Sequence, residues 1–457
     1  MKTLKPMNVL AGIITLALLA STPAANAQTN EELLKRVQQL EQQVRMLLDA
    51  RQAESSNTTT TTTVATTQVV ATENSKLAEK PTGLGFDVGS TRVGYGGYIK
   101  LDAIFSTYSG GDSATAHIGE DFLIASTIPV GGESSDLKFH ASAKASRFYF
   151  TTFTPTQSGH VNSRFEMDYF GSLQGTEVIS NSYASRLRHA YVNWQVDDVN
   201  AVLGGQSWST FQNTAVLPDT LDFIGTVGTI FNRQAQFRYT RRFETGNVQF
   251  SVENPASTFY TGGGVAGGDF DDNSVPDLIT RYNGNAGNFS YSVAAIFREI
   301  AIHTDELDES EFGVAISFAG KYKPGKDDIR FMLSAGNALG RYLGVGAFQD
   351  AQIETDRSIS LIPQYGGFFA YRHPWSPKLR SSIVASAIAA NNPGSAADTT
   401  PKAYQSLHMN LIYEPLPRLS FGGEYIWARR QDEGVHGSRL DDEGRLNRVQ
   451  ASMKYTF

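Results

Sequence analysis

The sequence contains no cysteine in its 457 residues. Disulfide bonds are therefore excluded, and an exported chain of this length must be held by side-chain packing and ladders of backbone hydrogen bonds. Beyond residue 20 it also lacks an apolar run long enough to cross a membrane as a helix. A mature chain that resides in a membrane must then cross it as a closed barrel, because only helices and closed barrels pair all their backbone groups in lipid.

Signals for catalysis are missing as well. The sequence has no zinc-protease helix motif, nucleophile elbow or P-loop, and its eight histidines are scattered. Segment 262–267 matches a dinucleotide-binding pattern only formally, since it neither follows a strand of a βαβ unit nor opens a helix. We therefore predict no enzyme, no catalytic residue, no cofactor and no metal site. The mildly acidic net charge of −7 also argues against nucleic acid as a partner.

The N-terminus has the form of a secretory signal. Lys2 and Lys5 precede an apolar run over residues 9–20, and Ala25 and Ala27 supply the small residues of a cleavage site. We predict that residues 1–27 form a signal peptide and that the mature chain leaves the cytoplasm.

Residues 28–93 are predicted to form a periplasmic helix and a tether. Within residues 28–53, apolar residues at heptad spacing indicate a short coiled coil: Leu33, Val37, Leu40, Val44 and Leu47. About two to three heptads are marginal alone, so the helix is expected to need several copies held close together. Residues 54–93, which include six consecutive threonines at 58–63, are predicted to be a flexible linker.

From residue 94 to residue 457, apolar and polar residues alternate in segments of about ten residues. Segment 161–169, for example, has Asn162, Arg164, Glu166 and Asp168 on one face. Charges on every second residue would disrupt a soluble core, but they suit a water-filled lumen. We therefore predict an all-β fold, a transmembrane antiparallel β-barrel of about 16 strands preceded by the short N-terminal coiled-coil helix. The predicted strands are 95–105, 137–153, 161–169, 186–196, 200–206, 234–242, 247–253, 277–283, 288–300, 311–323, 329–338, 357–371, 379–390, 403–413, 418–429 and 447–457.

Short and long connections alternate between these strands. Short turns on one side and long loops on the other are typical of outer-membrane barrels, whose turns face the periplasm. The short turns are predicted at 155–159, 197–198, 244–246, 283–287, 324–328, 374–377 and 414–417, and the longer loops include 106–136, 207–232, 254–276 and 431–445.

The third long connection, 207–232, is unusually apolar for an external loop. We predict that it folds into the barrel and forms a constriction. The alternative is that it packs over a neighbouring subunit or under other loops. Its predicted constriction residues are Trp208, Phe211, Asp219, Asp222 and Phe223.

Arginines recur on the predicted strands, where guanidinium groups could attract anions and bind carboxylates in bidentate fashion. Alternation puts Arg164, Arg238 and Arg330 with the polar residues of their strands, whereas Arg186 and Arg188 are ambiguous between lumen and rim. The alternative is that these arginines merely pair with carboxylates across the lumen. The full predicted pore-lining set is Arg147, Arg164, Arg186, Arg188, Arg238, Arg281, Arg330, Lys100, Asp102, Glu166 and Asp168.

Four segments resemble the DcaP-like outer-membrane porins, in combination with the N-terminal heptad helix. They are GYIKLDA at 97–103, SRFYF at 146–150, RLRHAYV at 186–192 and GGQSWS at 204–209. The resemblance runs through essentially the whole mature chain and implies a homotrimeric channel for small anions, dicarboxylates in particular. We expect the protein in the outer membrane of a Gram-negative cell, in contact with lipid and lipopolysaccharide, with its helix as a spacer toward peptidoglycan.

Other functions remain open from the sequence. A general or sugar-selective diffusion porin would share the barrel without the preference for anions. A trimeric surface adhesin would also join a coiled coil to a barrel anchor, but its anchor is a few strands at the extreme C-terminus. A barrel lipase or protease would need a Ser/His or Asp/His pair near the rim, and none stands out here.

Overall fold

A computed structural model describes residues 83–113, 118–172, 180–260, 266–270, 273–304 and 307–457. The predicted signal peptide, coiled-coil helix and linker up to residue 82 lie outside these described residues. Short 3₁₀ helices occur at Ile118–Glu120, Ala125–Thr127 and Thr214–Val216. In the part of the chain that the structure describes, no helix is long and apolar enough to cross a membrane.

Twenty-two β-strands form within the described residues. In chain order they are β1 Gly85–Val88, β2 Thr91–Tyr108, β3 Lys138–Ser142, β4 Arg147–Pro155, β5 His160–Ser172, β6 Ala184–Gln195, β7 Asn200–Trp208, β8 Arg233–Phe243, β9 Gly246–Glu253, β10 Ser257–Tyr260, β11 Ala266–Phe270, β12 Asp277–Ala286, β13 Phe289–His303, β14 Asp308–Tyr322, β15 Asp328–Gly336, β16 Ala351–Ile353, β17 Ile359–Leu361, β18 Gln364–Ser376, β19 Leu379–Ala390, β20 Pro401–Leu416, β21 Leu419–His436 and β22 Asp441–Thr456.

Sixteen antiparallel segments, called staves, each cross the barrel wall once and together close into a barrel. This confirms the predicted all-β fold. β3 and β4 count as one stave, because both pair with β2 on either side of residues 143–146. The barrel closes where β2 meets β22, in register from Tyr98 opposite Thr456 to Tyr108 opposite Leu446. Closure pairs both edges of each stave, which is the condition for a sheet to cross lipid.

Alternation along the staves separates an apolar outer face from a polar inner face. On β2, Ile99 and Leu101 face outward, and Ile99 is 56% exposed. Lys100 and Asp102 face the interior, where Asp102 is only 4% exposed. The predicted faces are therefore confirmed on this strand.

The predicted short turns join neighbouring staves at one end of the barrel, called the turn end; the opposite end is called the loop end. Asp197, between β6 and β7, shows how such a turn forms. Its carboxylate accepts hydrogen bonds from the backbone N–H groups of Val199 at 2.8 Å and Asn200 at 2.7 Å. Hydrogen bonds from the Asn200 side chain and from these backbone groups lower the pKa of Asp197.

Three predicted boundaries are wrong. The sequence predicts a linker up to residue 93, but Gly85 already pairs with Gly94, in a strand of only four residues that is too short for alternation to identify. It predicts a loop over 431–445, but β21 and β22 extend through most of this polar segment and turn only after His436. The predicted strand 357–371 begins instead at Gln364.

Apolar side chains fill part of the barrel interior toward the loop end. Inward-facing Ile296, Met332 and Val384 belong to one buried cluster with the loop residues Leu339 and Leu343. A separate sheet of four short strands, in the order β11, β10, β16 and β17, forms within the long loops. Because apolar packing excludes water, any water-filled space in the interior must border the polar part of the wall.

Candidate functional site

The connection 209–232 between β7 and β8, called the third loop, lies inside the barrel. Its backbone N–H groups at Val227 and Gly228 donate to Ser406 Oγ at 3.3 Å and Ser386 Oγ at 2.8 Å. These serines lie on β20 and β19, seven or eight staves away from β7 and β8 around the ring. The third loop therefore crosses the lumen.

Side chains of β2, β20 and β21 hold the tip of the third loop. The backbone N–H of Leu221 donates to Glu424 Oε2 at 2.6 Å, and Lys100 Nζ donates to the Leu221 carbonyl oxygen at 2.6 Å. Asn410 Nδ2 donates to the carbonyl oxygen of Asp219 at 2.7 Å. The polar residues that alternation directs into the lumen thus supply the partners of this loop.

Asp222 joins the third loop to the first long loop, 109–137. Its carboxylate accepts hydrogen bonds from the backbone N–H groups of Leu123 at 2.8 Å and Gly225 at 2.9 Å. Burial raises the pKa of Asp222, and the nearby His408 acts in the opposite direction. The predicted constriction residue therefore organises loop backbone.

Three of the predicted arginines bind backbone carbonyl oxygens in the third loop or directly before it. Arg238 donates to Trp208 O at 2.6 Å and Arg281 donates to Thr210 O at 3.1 Å. Arg330 donates to Leu217 O and also pairs with Asp328 on its own strand. Arg281 and Arg330 thus bind the third loop itself, and Arg238 binds the strand residue that directly precedes it.

Four other predicted arginines converge on two carboxylates of β5. Glu166 lies 3.4 Å from Arg147, 2.5 Å from Arg164 and 2.7 Å from Arg188. Asp168 lies 2.9 Å from Arg186 and 2.8 Å from Arg188. The arginines outnumber the carboxylates in this arginine cluster, which also includes Arg233, described below.

Aromatic rings from the third-loop segment face the arginine cluster. The ring centre of Phe223 lies 5.4 Å from the Arg188 guanidinium and 6.0 Å from both Arg147 and Arg186. Such cation–π contacts hold the charges beside the loop without neutralising them.

Arg233, where the third loop enters β8, was not predicted. Its guanidinium stacks 4.4 Å from the ring centre of Trp208 and 5.3 Å from that of Phe231. The Arg188 guanidinium lies 5.6 Å from the same Trp208 ring centre, so both arginines contact one aromatic ring. Among the described residues, Arg233 has no carboxylate within 4.0 Å.

A cavity of about 220 Å³ lies beside the tip of the third loop and contains further cations. Lys100 pairs with Asp102 at 3.0 Å, and Arg380 pairs with Asp219 at 2.7 Å. Lys454 of β22 lies 4.5 Å from the Tyr98 ring centre. In the part of the chain that the structure describes, Lys454 has no carboxylate within 4.0 Å.

The seven predicted arginines thus fall into two groups. Arg147, Arg164, Arg186 and Arg188 form one cluster with Glu166 and Asp168, whereas the other three predicted arginines bind carbonyl oxygens in the third loop or directly before it. Trp208 ends β7, Phe211 is buried in the interior core, and Phe223 faces the cluster.

Arg186 and Arg188 were ambiguous because β6 contains a bulge. The pairing of β5 and β6 shifts between Glu166 and Met167, and both Arg188 and His189 are buried. The extra residue reverses the alternation along β6. Lys454 could have been found from the polar face of β22, whereas no sequence signal marks Arg233, which adjoins the loop.

No group of at least three potential ligand side chains that could hold a metal ion occurs within the described residues.

Comparisons with known proteins agree with this geometry. The model of the family described as DcaP outer membrane protein matches residues 14–457. A comparison with curated proteins found no match.

Solved outer-membrane channels have a similar fold. The chain is 21% identical to the outer membrane channel DcaP of Acinetobacter baumannii, with a TM-score of 0.67, covering 82% of this chain and 99% of that one. It is 12% identical to the anion-selective porin from Comamonas acidovorans, with a TM-score of 0.52, covering 80% and 100%. For OmpT of Vibrio cholerae the identity is 11%, the TM-score 0.50 and the coverage 82% and 100%.

These identities are low, so the solved structures support the porin fold, while the family match extends over nearly the whole sequence. The sixteen closed staves and the inward third loop are consistent with both comparisons. The chain therefore belongs to the DcaP outer membrane protein family and resides in the outer membrane of a Gram-negative cell.

Proposed function

We propose that the protein is a channel for passive diffusion of small hydrophilic solutes, with a preference for anions such as dicarboxylates. One observation carries the proposal: beside the third loop, five arginines face two carboxylates. The five are Arg147, Arg164, Arg186, Arg188 and Arg233, and the two are Glu166 and Asp168. A net positive lumen lowers the energy of an anion and raises that of a cation.

Transport through such a channel involves no chemical step. The channel only lowers the free-energy barrier that a solute must cross to pass the membrane. Guanidinium groups replace part of the hydration of a carboxylate, and the neighbouring Glu166 and Asp168 keep that binding weak enough for release. Arg233 and Lys454, which lack a carboxylate partner within the described residues, are the cations best able to contact a solute. A dicarboxylate could engage two such cations in succession.

Further support comes from the relatives. The Comamonas acidovorans protein of similar fold is an anion-selective porin, and a solved form of Vibrio cholerae OmpT is a trimer. We propose a homotrimer here too, in contact with lipid and lipopolysaccharide. The N-terminal signal peptide, the periplasmic coiled coil and its contact with peptidoglycan remain predictions.

The test is ion selectivity in a planar bilayer, measured as the reversal potential in a salt gradient. Removal of one unit charge at about 4 Å changes an ion's energy by about 1 kcal/mol in water-like surroundings, roughly fivefold in a rate. We expect Arg233→Gln and Lys454→Gln each to lower the anion-to-cation permeability ratio by roughly that factor. Lys326→Gln, in the exposed turn between β14 and β15, is the matched control and should leave the ratio unchanged.

The outcomes separate the alternatives. Cation selectivity of the unaltered channel would overturn the preference for anions. A nonselective channel that passes sugars and anions alike would favour the general porin. If the purified protein produced no conductance in bilayers, the surface adhesin would become the favoured function.

A further inference from the structure

The third loop is bound on its far side by another loop, the connection 337–363 between β15 and β18, called the sixth loop. Ile230 and Leu343 form an antiparallel bridge between the two loops. On either side of it, Phe231 N donates to Tyr342 O at 2.9 Å, and Gly344 N donates to Thr229 O at 3.0 Å. The third loop thus gains a short partner strand that does not belong to the barrel wall.

The sixth loop is in turn bound to the wall by a buried arginine. Arg298 of β13 is 0% exposed, and its Nη1 lies 2.7 Å from Asp350 Oδ1 of the sixth loop. The same guanidinium lies 3.2 Å from Asp277 of β12 and donates to the Ala338 carbonyl oxygen at 3.2 Å. One side chain therefore joins two staves to the beginning and the middle of the sixth loop.

Tyr342 links this ion pair to the bridge between the loops. Its hydroxyl donates to Asp277 Oδ2 at 2.6 Å and accepts from Gln234 Nε2 at 2.8 Å. Its ring centre lies 5.1 Å from the Arg298 guanidinium, and its carbonyl oxygen accepts from Phe231. Tyr342 thus binds the third loop through its backbone, while the buried charges of Asp277 and Arg298 orient its side chain.

Buried charges are costly unless they are paired with good geometry, so such a network admits few arrangements. Arg298, Asp277, Asp350 and Tyr342 are all fully buried, and the predicted solute contacts do not include them. A rigid network outside the arginine cluster is suited to holding an element in place.

We propose that Arg298 and Asp350 are positioning residues of the channel. Through Tyr342 they hold the sixth loop as a strut, and the strut keeps the third loop against the wall so that the constriction stays open. The inference rests on the proposed channel function but not on its preference for anions. It predicts that the width and steadiness of the pore depend on residues that no solute touches.

The test is single-channel recording of Asp350→Asn in the full-length protein. The amide keeps the shape of the carboxylate and removes the charge that pairs with Arg298. We expect brief closures to become about tenfold more frequent, as the loss of a charge-assisted hydrogen bond implies, while the reversal potential stays unchanged. Asp356→Asn, in the same loop but exposed, is the matched control and should conduct as steadily as the unaltered channel.

A disulfide between the loops supplies the converse experiment. The Ile230 and Leu343 pair is flanked by hydrogen bonds, so its Cα atoms lie about 4.5 Å apart, within the range of a disulfide. Since the chain has no cysteine, Ile230→Cys with Leu343→Cys can form only this bond. In the Asp350→Asn background the oxidised protein should conduct steadily, and reduction should restore the closures.

Each outcome bears on one proposal. If the unaltered protein does not conduct, the channel itself fails. If it conducts and Asp350→Asn is equally steady, or the disulfide does not suppress the closures, the strut fails. Should Asp350→Asn not fold, Tyr342→Phe removes the hydroxyl contacts with Asp277 and Gln234, and steady conductance in that variant also overturns the strut.

Discussion

Glu166 strongly influences the charge of the arginine cluster. It is 2% exposed and lies within ion-pair distance of Arg147, Arg164 and Arg188. One carboxylate therefore offsets part of the charge of three arginines. It also repels any anion that enters the cluster.

Neutralising this carboxylate in Glu166→Gln should increase the preference for anions. The effect is opposite in sign to that of Arg233→Gln and of similar size, roughly fivefold in the permeability ratio. The reversal potential in a salt gradient measures it, with Glu244→Gln in the exposed turn between β8 and β9 as control. An unchanged or lower preference for anions would mean that ions do not pass beside this cluster.

Among the elements, the third loop approaches the wall very closely where two glycines meet. A Cβ built on Gly228 would lie 2.3 Å from the carbonyl oxygen of Gly367 on β18. Ser386 Oγ accepts from Gly228 N and donates to the Gly367 carbonyl oxygen, each at 2.8 Å. The loop can lie this close to the wall only because residue 228 has no side chain.

Gly228→Ala should push the third loop off β18 toward the arginine cluster and reduce single-channel conductance. Forcing a methyl group into such a contact costs about 1–3 kcal/mol of stability. Gly394→Ala is the matched control, because a Cβ there would meet no atom within 4 Å. A normal conductance in Gly228→Ala would contradict a path bounded by this loop.

The whole molecule depends on the seam that closes the barrel. β22 pairs with β2 on one side and with β21 on the other. Ala451 lies within it, opposite Ala103 of β2 and Gly423 of β21. Its backbone N–H therefore points to a paired neighbour, whichever side it faces.

Ala451→Pro removes that N–H from the interior of a sheet, where proline is not tolerated. We expect the compact, heat-sensitive form seen in SDS gels of unheated barrels to be largely lost. Ala451→Val keeps the N–H and suits an outward apolar position, so it should retain this form. A full compact band for the proline variant would contradict closure at this seam.

Alternation and turn residues in the sequence predict most of the staves, their inner and outer faces and the short turns. These features depend on local properties: alternation with period two and turn residues at fixed positions. Ile99 and Lys100 point to opposite faces for this reason alone. The same local rule missed β1, because its four residues, Gly85–Val88, are too short a run for alternation to identify.

The pairing of the charges, by contrast, depends on contacts between distant segments and could not be predicted from the sequence pattern. The bulge in β6 turns Arg188 toward Glu166 of β5, and alternation cannot locate a bulge. Arg233 and Lys454 lie far apart in sequence. Each packs against an aromatic ring and has no carboxylate within ion-pair distance among the described residues, because of how the neighbouring segments are placed. Register between staves and the path of the third loop set these contacts, and both are properties of the closed barrel that a single strand's pattern does not contain.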